Sequence, residues 1–260
     1  MPLTFAHPAA VLPFIKTNTY FHFTALVLGS MAPDFEYFLR GRPAGEIGHS
    51  LLGFFIYNLP LVALIYIVYR YIIFDPFFQN LPHLVQPVFT ESVKSNNGTR
   101  QTWISVIVFL YSALLGMITH VVWDSFTHKG GFMAVRWGIL QETISISTFD
   151  IPVYKLLQHG STLLGLFIIF ICFLTLLWKK RSGNSLSIDG INLRSGKWKY
   201  WISLILLMIL ILFLWMVIEP ITLSEYGVFV VRVIDSGILS VLFVSVTFQL
   251  CSRFSTSNRQ

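Results

Sequence analysis

Apolar residues in this chain gather into long runs divided by short polar connections, with no strict alternation of two or of three to four positions. Five runs, near 51–74, 103–123, 162–178, 200–218 and 228–250, match the length of about 20 residues that a helix needs to cross a hydrocarbon core. A further stretch, 20–32, is shorter. Gly29 interrupts it and Pro33 stops it, because proline lacks the N–H that a helix interior needs. It reads as a short interfacial or re-entrant helix, with a sixth span as the alternative. The pattern predicts an all-α fold: a polytopic membrane helix bundle of about five transmembrane helices plus a short N-terminal interfacial helix. The first basic residue is Lys16, and no charged segment precedes an apolar core, so no cleavable signal peptide is expected.

Composition strengthens this picture. Of the 260 residues, 55% are hydrophobic and only 12% charged, against about 25% charged in soluble domains. The bilayer is thus the first partner, and nothing points to nucleic acid; oligomeric state is left open. Cys172 and Cys251 lie inside apolar runs. They form neither a disulfide framework nor a Cys-x-x-Cys site, and read as packing residues.

Charge placement then orients the chain. The 179–199 loop carries Lys179, Lys180, Arg181, Arg194, Lys197 and Lys199 against Asp189 alone, which makes it cytoplasmic by the positive-inside rule. Counting spans from it puts 75–101 and 251–260 inside, and the N-terminal segment, 125–161 and 219–227 outside. The Asn97-Gly-Thr99 sequon then faces the cytoplasm and is set aside. Three regions follow: a metal-site membrane domain over 1–178, the basic loop over 179–199, and a C-terminal helix pair over 200–260. The expected location is a bacterial inner membrane, with the site facing outward.

The chemistry concentrates in Thr119-His-Val-Val-Trp-Asp-Ser-Phe-Thr-His128. His120, Asp124 and His128 are four residues apart, and each such step on an α-helix turns about 40° past a full turn, so the three share one face. Imidazole and carboxylate are ligands of zinc and similar divalent ions, and lone polar groups are costly in so apolar a setting. The topology brings others to the same membrane face: His49 at the start of the first span, His120 and Asp124 at the end of the second, His159 at the start of the third, and His7 and Asp34 on the N-terminal segment. Each alone has a plainer reading. Asp34 after Pro33 suits a helix cap, and His120 with Asp124 suits a simple i,i+4 hydrogen bond. Their convergence points to a metal site. Arg232, near the outer end of the last span, is either an i,i+3 ion pair with Asp235 or an anion clamp for a phosphate. Arg136 is a second clamp candidate.

The order Thr4-Phe-Ala-His7, Gly29-Ser-Met-Ala-Pro-Asp34-Phe-Glu36, Gly48-His49-Ser50 and Gly116-x-x-Thr-His120-x-x-x-Asp124 resembles the bacterial membrane-bound metal-dependent hydrolases of the YdjM-like group. Within it, the chain looks closest to an integral-membrane family known only as a domain of unknown function. The resemblance runs from Met1 through Gln158-His-Gly-Ser161, about two-thirds of the chain. Glu36 stands where the YdjM-like pattern tends to have Asp.

A more distant similarity is to zinc-dependent phospholipase C and the P1-type nucleases. It implies that Asp34, His49, His120 and Asp124 hold one ion, with Asp124 bridging, and that His7, His128 and His159 serve a second or third. That family places a Glu four residues after its last His, where this chain has Leu163. The resemblance therefore implies one or two divalent ions, zinc by type, in place of three.

The expected function is a membrane-embedded hydrolase of a phosphate ester, such as a phospholipid or lipid-linked phosphate, acting through metal-activated water with Asp124 and Arg232 as catalytic residues. No Gly-x-Ser-x-Gly, P-loop or His-Glu-x-x-His motif occurs, so serine, nucleotide-triphosphate and common zinc-peptidase chemistry have no support. The alternatives are a structural metal that staples helices, a metal-handling or transport protein, and a bis-His haem protein. Transport favours ligands near the midplane, and haem ligation leaves Asp34 and Asp124 unused.

Overall fold

The computed structural model describes residues 3–16, 20–82, 85–86, 102–146, 149–183, 197–222 and 224–257. His83, Asn97 and residues 184–196 of the basic loop lie outside them. Among the described residues five helices are long and apolar enough to cross a membrane: Leu51–Asn80, Trp103–Arg136, Val153–Lys179, Lys197–Ile218 and Tyr226–Ser252. The fold is all-α with one small hairpin, and its five apolar spans are those of an integral membrane protein.

In chain order the helices are α1 (Phe23–Met31), α2 (Phe35–Arg40), α3 (Leu51–Asn80), α4 (Thr102–Thr127), α5 (Phe132–Arg136), α6 (Val153–Gly183), α7 (Lys197–Ile218) and α8 (Tyr226–Ser257). A 3₁₀ helix, Thr4–Lys16, precedes them. Pro8 and Pro13 inside it each remove a backbone donor. At nine residues, α1 rises about 14 Å, far short of a bilayer core, so the shorter of the two readings of 20–32 holds. The 125–161 connection is more ordered than its polarity announced. It contains α5 and an antiparallel hairpin, β1 (Thr143–Ile146) with β2 (Phe149–Pro152), in which Thr143 pairs with Pro152 and Ile146 with Phe149.

The chain divides into two compact units. The first comprises Met1–Phe35, Glu46–Val62 and Ser95–Leu176; the second comprises Glu36–Gly45, Ala63–Lys94 and Leu177–Gln260.

In the first unit α1 lies against α4 at backbone distance. A side chain at Gly29 would run into the Ala113 carbonyl, and one at Gly116 into the Leu26 carbonyl and the Ser30 amide. Small residues at such crossings let membrane helices approach closely where no hydrophobic effect drives them together. Ala25, Leu26, Ser30, Ala113 and Met117 are fully buried there. His22 sets the start of α1: its Nδ1 accepts the Ala25 N–H at 3.2 Å, and its own N–H donates to Ser112 Oγ at 3.0 Å. The 3₁₀ helix is tied to α6 by Leu3 N–H donating to Thr162 Oγ1 at 3.2 Å.

The second unit pairs α7 with α8. Tyr200 is fully buried, with its hydroxyl 3.1 Å from Ser245 Oγ. Trp201 Nε1 donates to the Asn80 carbonyl at 2.8 Å. Cys172 and Cys251 are free thiols.

Two glycines test this packing. The obstacle at Gly29 is backbone, so Gly29→Val should lower stability by about 1–3 kcal/mol, the usual cost of overpacking a core. A Cβ at Gly160 would meet nothing, and Gly160→Ala should be neutral or stabilising, since alanine is the better helix former. Denaturation of the purified protein in detergent checks both; equal effects at the two positions would contradict the close crossing.

Candidate metal centre

Among the described residues, the first unit gathers a cluster of ion-ligating side chains. Asp34 enters from a 3₁₀ turn, Ala32–Asp34, that Pro33 forces at the end of α1. His49 stands just before Ser50, the N-cap of α3, whose Oγ accepts the Gly53 N–H at 2.9 Å. That loop is pinned by Asn58, which donates to the Gly48 carbonyl at 2.6 Å, and by Gly48, which has no room for a side chain beside the Pro33 carbonyl. His120 and Asp124 come from successive turns of α4.

Ligand atoms of Asp34, His49, His120 and Asp124 all lie within 4.8 Å of one another. Asp34 Oδ1 is 3.6 Å from His120 Nε2 and 3.7 Å from His49 Nε2. Asp124 Oδ2 is 3.3 Å from His120 Nε2 and 3.8 Å from His49 Nε2. A tetrahedral ion with bonds of about 2.1 Å spaces its ligand atoms roughly 3.4 Å apart. The four separations therefore fit the edges of such a tetrahedron, and they exceed the 2.7–3.2 Å of direct N–H···O bonds.

The remaining polar atoms fix the orientation of the ligands. His120 Nδ1 lies 2.7 Å from the Ser30 carbonyl. A carbonyl only accepts, so Nδ1 carries the proton and the Nε2 lone pair points into the cluster, the arrangement that second partners give to ion-binding histidines. Thr4 donates its hydroxyl to Asp34 Oδ2 at 2.7 Å, which leaves Oδ1 for the cluster. His120 Nε2, Asp34 Oδ1, Asp124 Oδ1 and His7 Nε2 are buried without a hydrogen bond, a costly state for polar atoms unless something answers it. A divalent cation does so and balances the two carboxylate charges.

His7 and His128 flank the four. The His7 ring stacks on His120 with centroids 3.8 Å apart, and its Nε2 is 3.6 Å from Asp124 Oδ1. Burial, reinforced by His120, pushes the His7 imidazole down to about 3, so it is neutral. Burial raises the Asp34 carboxyl above its ordinary value. His128 Nδ1 lies 3.1 Å from the Asp124 carbonyl and 3.6 Å from Oδ2; bonding that carbonyl, it too donates and braces Asp124.

His159 is not brought to the cluster. Because α6 begins at Val153, its register turns Gln158 inward and leaves His159 exposed. Arg232 belongs to the second unit, and its partner there is Glu219 in place of the expected Asp235. Its Nη2 is 2.7 Å from Glu219 Oε2, and its Nη1 donates to the Glu219 carbonyl. Arg42 Nη2 holds the other Glu219 oxygen at 3.2 Å. The guanidinium also lies 5.4 Å from the Trp215 ring. Arg136 rests on Phe132, 3.8 Å from its ring centroid. The sequence left Thr4 and the Ser30 carbonyl without a role. A hydroxyl three residues before His7 in the Thr4-Phe-Ala-His7 motif was the one available signal.

Residues 1–247 match the model of a family described as a domain of unknown function, DUF4184. No curated protein and no solved structure shows significant similarity to the chain.

Purified protein should carry a divalent ion, and His120→Ala or Asp124→Ala should remove it, because each leaves a buried charge imbalance as well as a missing bond. Thr4→Val should weaken ion affinity by about 10- to 100-fold, the usual effect of deleting a ligand's hydrogen-bond partner, while His159→Ala should change nothing. Elemental analysis decides; full occupancy in a His120/Asp124 double variant would rule the site out. Burial raises the Asp34 carboxyl and an ion needs it ionised, so affinity should fall as pH drops through the range in which Asp34 takes up its proton.

Proposed function

Since the chain belongs to the DUF4184 family, whose description carries no activity, we propose from the site itself that it is a membrane-embedded, zinc-type hydrolase of a phosphate ester. The observation that supports this is the division of labour in the Asp124 carboxylate. Oδ2 faces the four-residue cluster, while Oδ1 faces His7 Nε2, and both of the latter atoms are buried and unpaired. A site that only stapled helices would have no need of that second, unfinished position.

Asp34, His49, His120 and Asp124 would hold the ion. Such an ion, when bound, lowers the pKa of a bound water towards about 7 and draws charge from a phosphoryl oxygen. The protein's own groups set the rest. Ser30 and Thr4 orient His120 and Asp34. With its imidazole pushed down to about 3, His7 offers a lone pair and does not store a proton, so it suits a second cation or a donor on the substrate. Arg232 has Nη1 and Nη2 engaged by Glu219, so the phosphate need not meet it. The remote likeness to zinc-dependent phospholipase C, in the order of His7, Asp34, His49, His120 and Asp124, is in keeping with this chemistry.

A structural metal is the second reading, favoured by one observation: four protein ligands already complete a tetrahedral set, as in closed structural sites. Activity separates the two. Zinc-loaded protein should cleave a soluble phosphodiester such as bis(p-nitrophenyl) phosphate, with a rate that rises through a pH near 7. Chelation should abolish the activity and zinc should restore it. Metal-loaded, folded protein inert towards soluble and lipid phosphoesters alike would leave the structural reading.

The site is further proposed to face outward across a bacterial inner membrane. A cysteine at Lys129 should then react with a membrane-impermeant thiol reagent in intact cells, and one at Lys179 should react only after lysis. The opposite pattern would invert the orientation.

A further inference from the structure

A groove of about 360 Å³ runs along the first unit between the 3₁₀ helix, α4 and α6, and nothing described so far uses it. Small residues create it. Ala6, Ala9 and Ala10 form one side, and Gly165 of α6 comes so close to the Ala6 carbonyl that a Cβ there would lie 2.9 Å from its oxygen. Val122, Leu164 and Ile168 line it while 54%, 59% and 42% exposed, so it opens on faces that also present apolar side chains outward.

The groove is chemically suited to hydrocarbon. Apart from His7, its polar lining groups are already engaged: Thr119 donates to the Gly116 carbonyl, Ser161 to the Gln158 carbonyl, and Trp123 Nε1 to Ser161 Oγ at 3.1 Å. Water there would find few partners, and apolar cavities do not hold it. Its volume lies in the ordinary range of ligand sites. It also adjoins the metal centre: His7 is part of its wall, and the same imidazole lies 3.6 Å from Asp124 Oδ1.

We propose that the groove holds one hydrocarbon chain of a phosphate-bearing membrane lipid and so presents that lipid's head group to the metal centre beside His7. The head-group part rests on the phosphoesterase reading; the seat for the chain stands on the groove itself. Specificity would then be divided. The groove selects a lipid from among water-soluble esters, and the centre selects the phosphate.

Photolabelling tests this in zinc-loaded full-length protein in phosphatidylcholine vesicles. The probe is a phosphatidylglycerol with a diazirine midway along one acyl chain, compared with a diacylglycerol carrying the same chain. Phosphatidylglycerol should label peptides 6–10 and 161–168 in preference to diacylglycerol. Filling the groove with Ala9→Phe or Ile168→Trp should cut that labelling about tenfold, equivalent to roughly 1.4 kcal/mol, with zinc content unchanged. Leu163→Trp, at an exposed position outside the groove, should leave it as it was. If Ala9→Phe fails to retain zinc, Ile168→Trp decides alone.

Labelling spread evenly over exposed helix faces, or unaffected by the filling variants, would overturn the proposal. So would equal labelling by both probes. Bis(p-nitrophenyl) phosphate, which has no chain, keeps the two ideas apart. If it is not cleaved while phosphatidylglycerol still labels the groove preferentially, the hydrolase reading falls and the lipid seat stands. If it is cleaved at the wild-type rate by Ile168→Trp while the groove never labels, the reverse holds.

Discussion

The centre depends on one hydrogen bond, from His120 Nδ1–H to the Ser30 carbonyl. It fixes the tautomer of a buried imidazole and aims Nε2 at two carboxylates. It can form only because α1 and α4 meet backbone to backbone, which in turn requires Gly29 and Gly116 to lack side chains. The motif around the ligands is thus partly a packing motif. Its glycines let two helices touch, and the touching helices give a histidine its orientation. Remove the contact and the same ligand residues would no longer converge.

The cluster also resolves an electrostatic problem that the helices create. Asp34 and Asp124 are both nearly or fully buried, and burial, with the neighbouring Asp124 carboxylate adding repulsion, raises the Asp34 carboxyl above its ordinary value. His7 does not relieve this, because it is driven neutral by the same burial. A cation reverses the balance for both carboxylates at once. His120 Nε2 and Asp34 Oδ1, both buried without a hydrogen bond, are atoms that such a cation would satisfy.

Much of this was legible in the sequence. Five apolar runs gave five spans, because length and hydropathy are nearly sufficient where the solvent is hydrocarbon. The four cluster residues stand among the seven ligand candidates that residue type and position single out, and their grouping around one ion is what the resemblance to zinc-dependent phospholipase C implies. What stayed hidden was local register. His159 looks like a ligand if the third span starts beside it; the helix begins at Val153, which buries Gln158 and leaves His159 exposed. Arg232 had two acidic neighbours to choose from, and sequence distance favoured Asp235 over Glu219, which only the turn between α7 and α8 brings close. The β1–β2 hairpin had a signal in Thr143-Ile-Ser-Ile146, where apolar and polar residues alternate, but that run is only four residues long.

The four cluster side chains are not equally shielded. His120 and Asp34 are 0% and 2% exposed and Asp124 is 11%, while His49 is 28% exposed. It is also held on a short loop, where the others belong to or abut packed helices. An ion entering or leaving would therefore pass His49 first and last, and the three deeper groups would act as a rigid cup. How fast metal exchanges, and which chelators can reach it, would then be governed by the stiffness of the Gly48–Ser50 loop and its tether to Asn58. Residence time could be tuned there by residues that never touch the ion, with the equilibrium affinity set elsewhere.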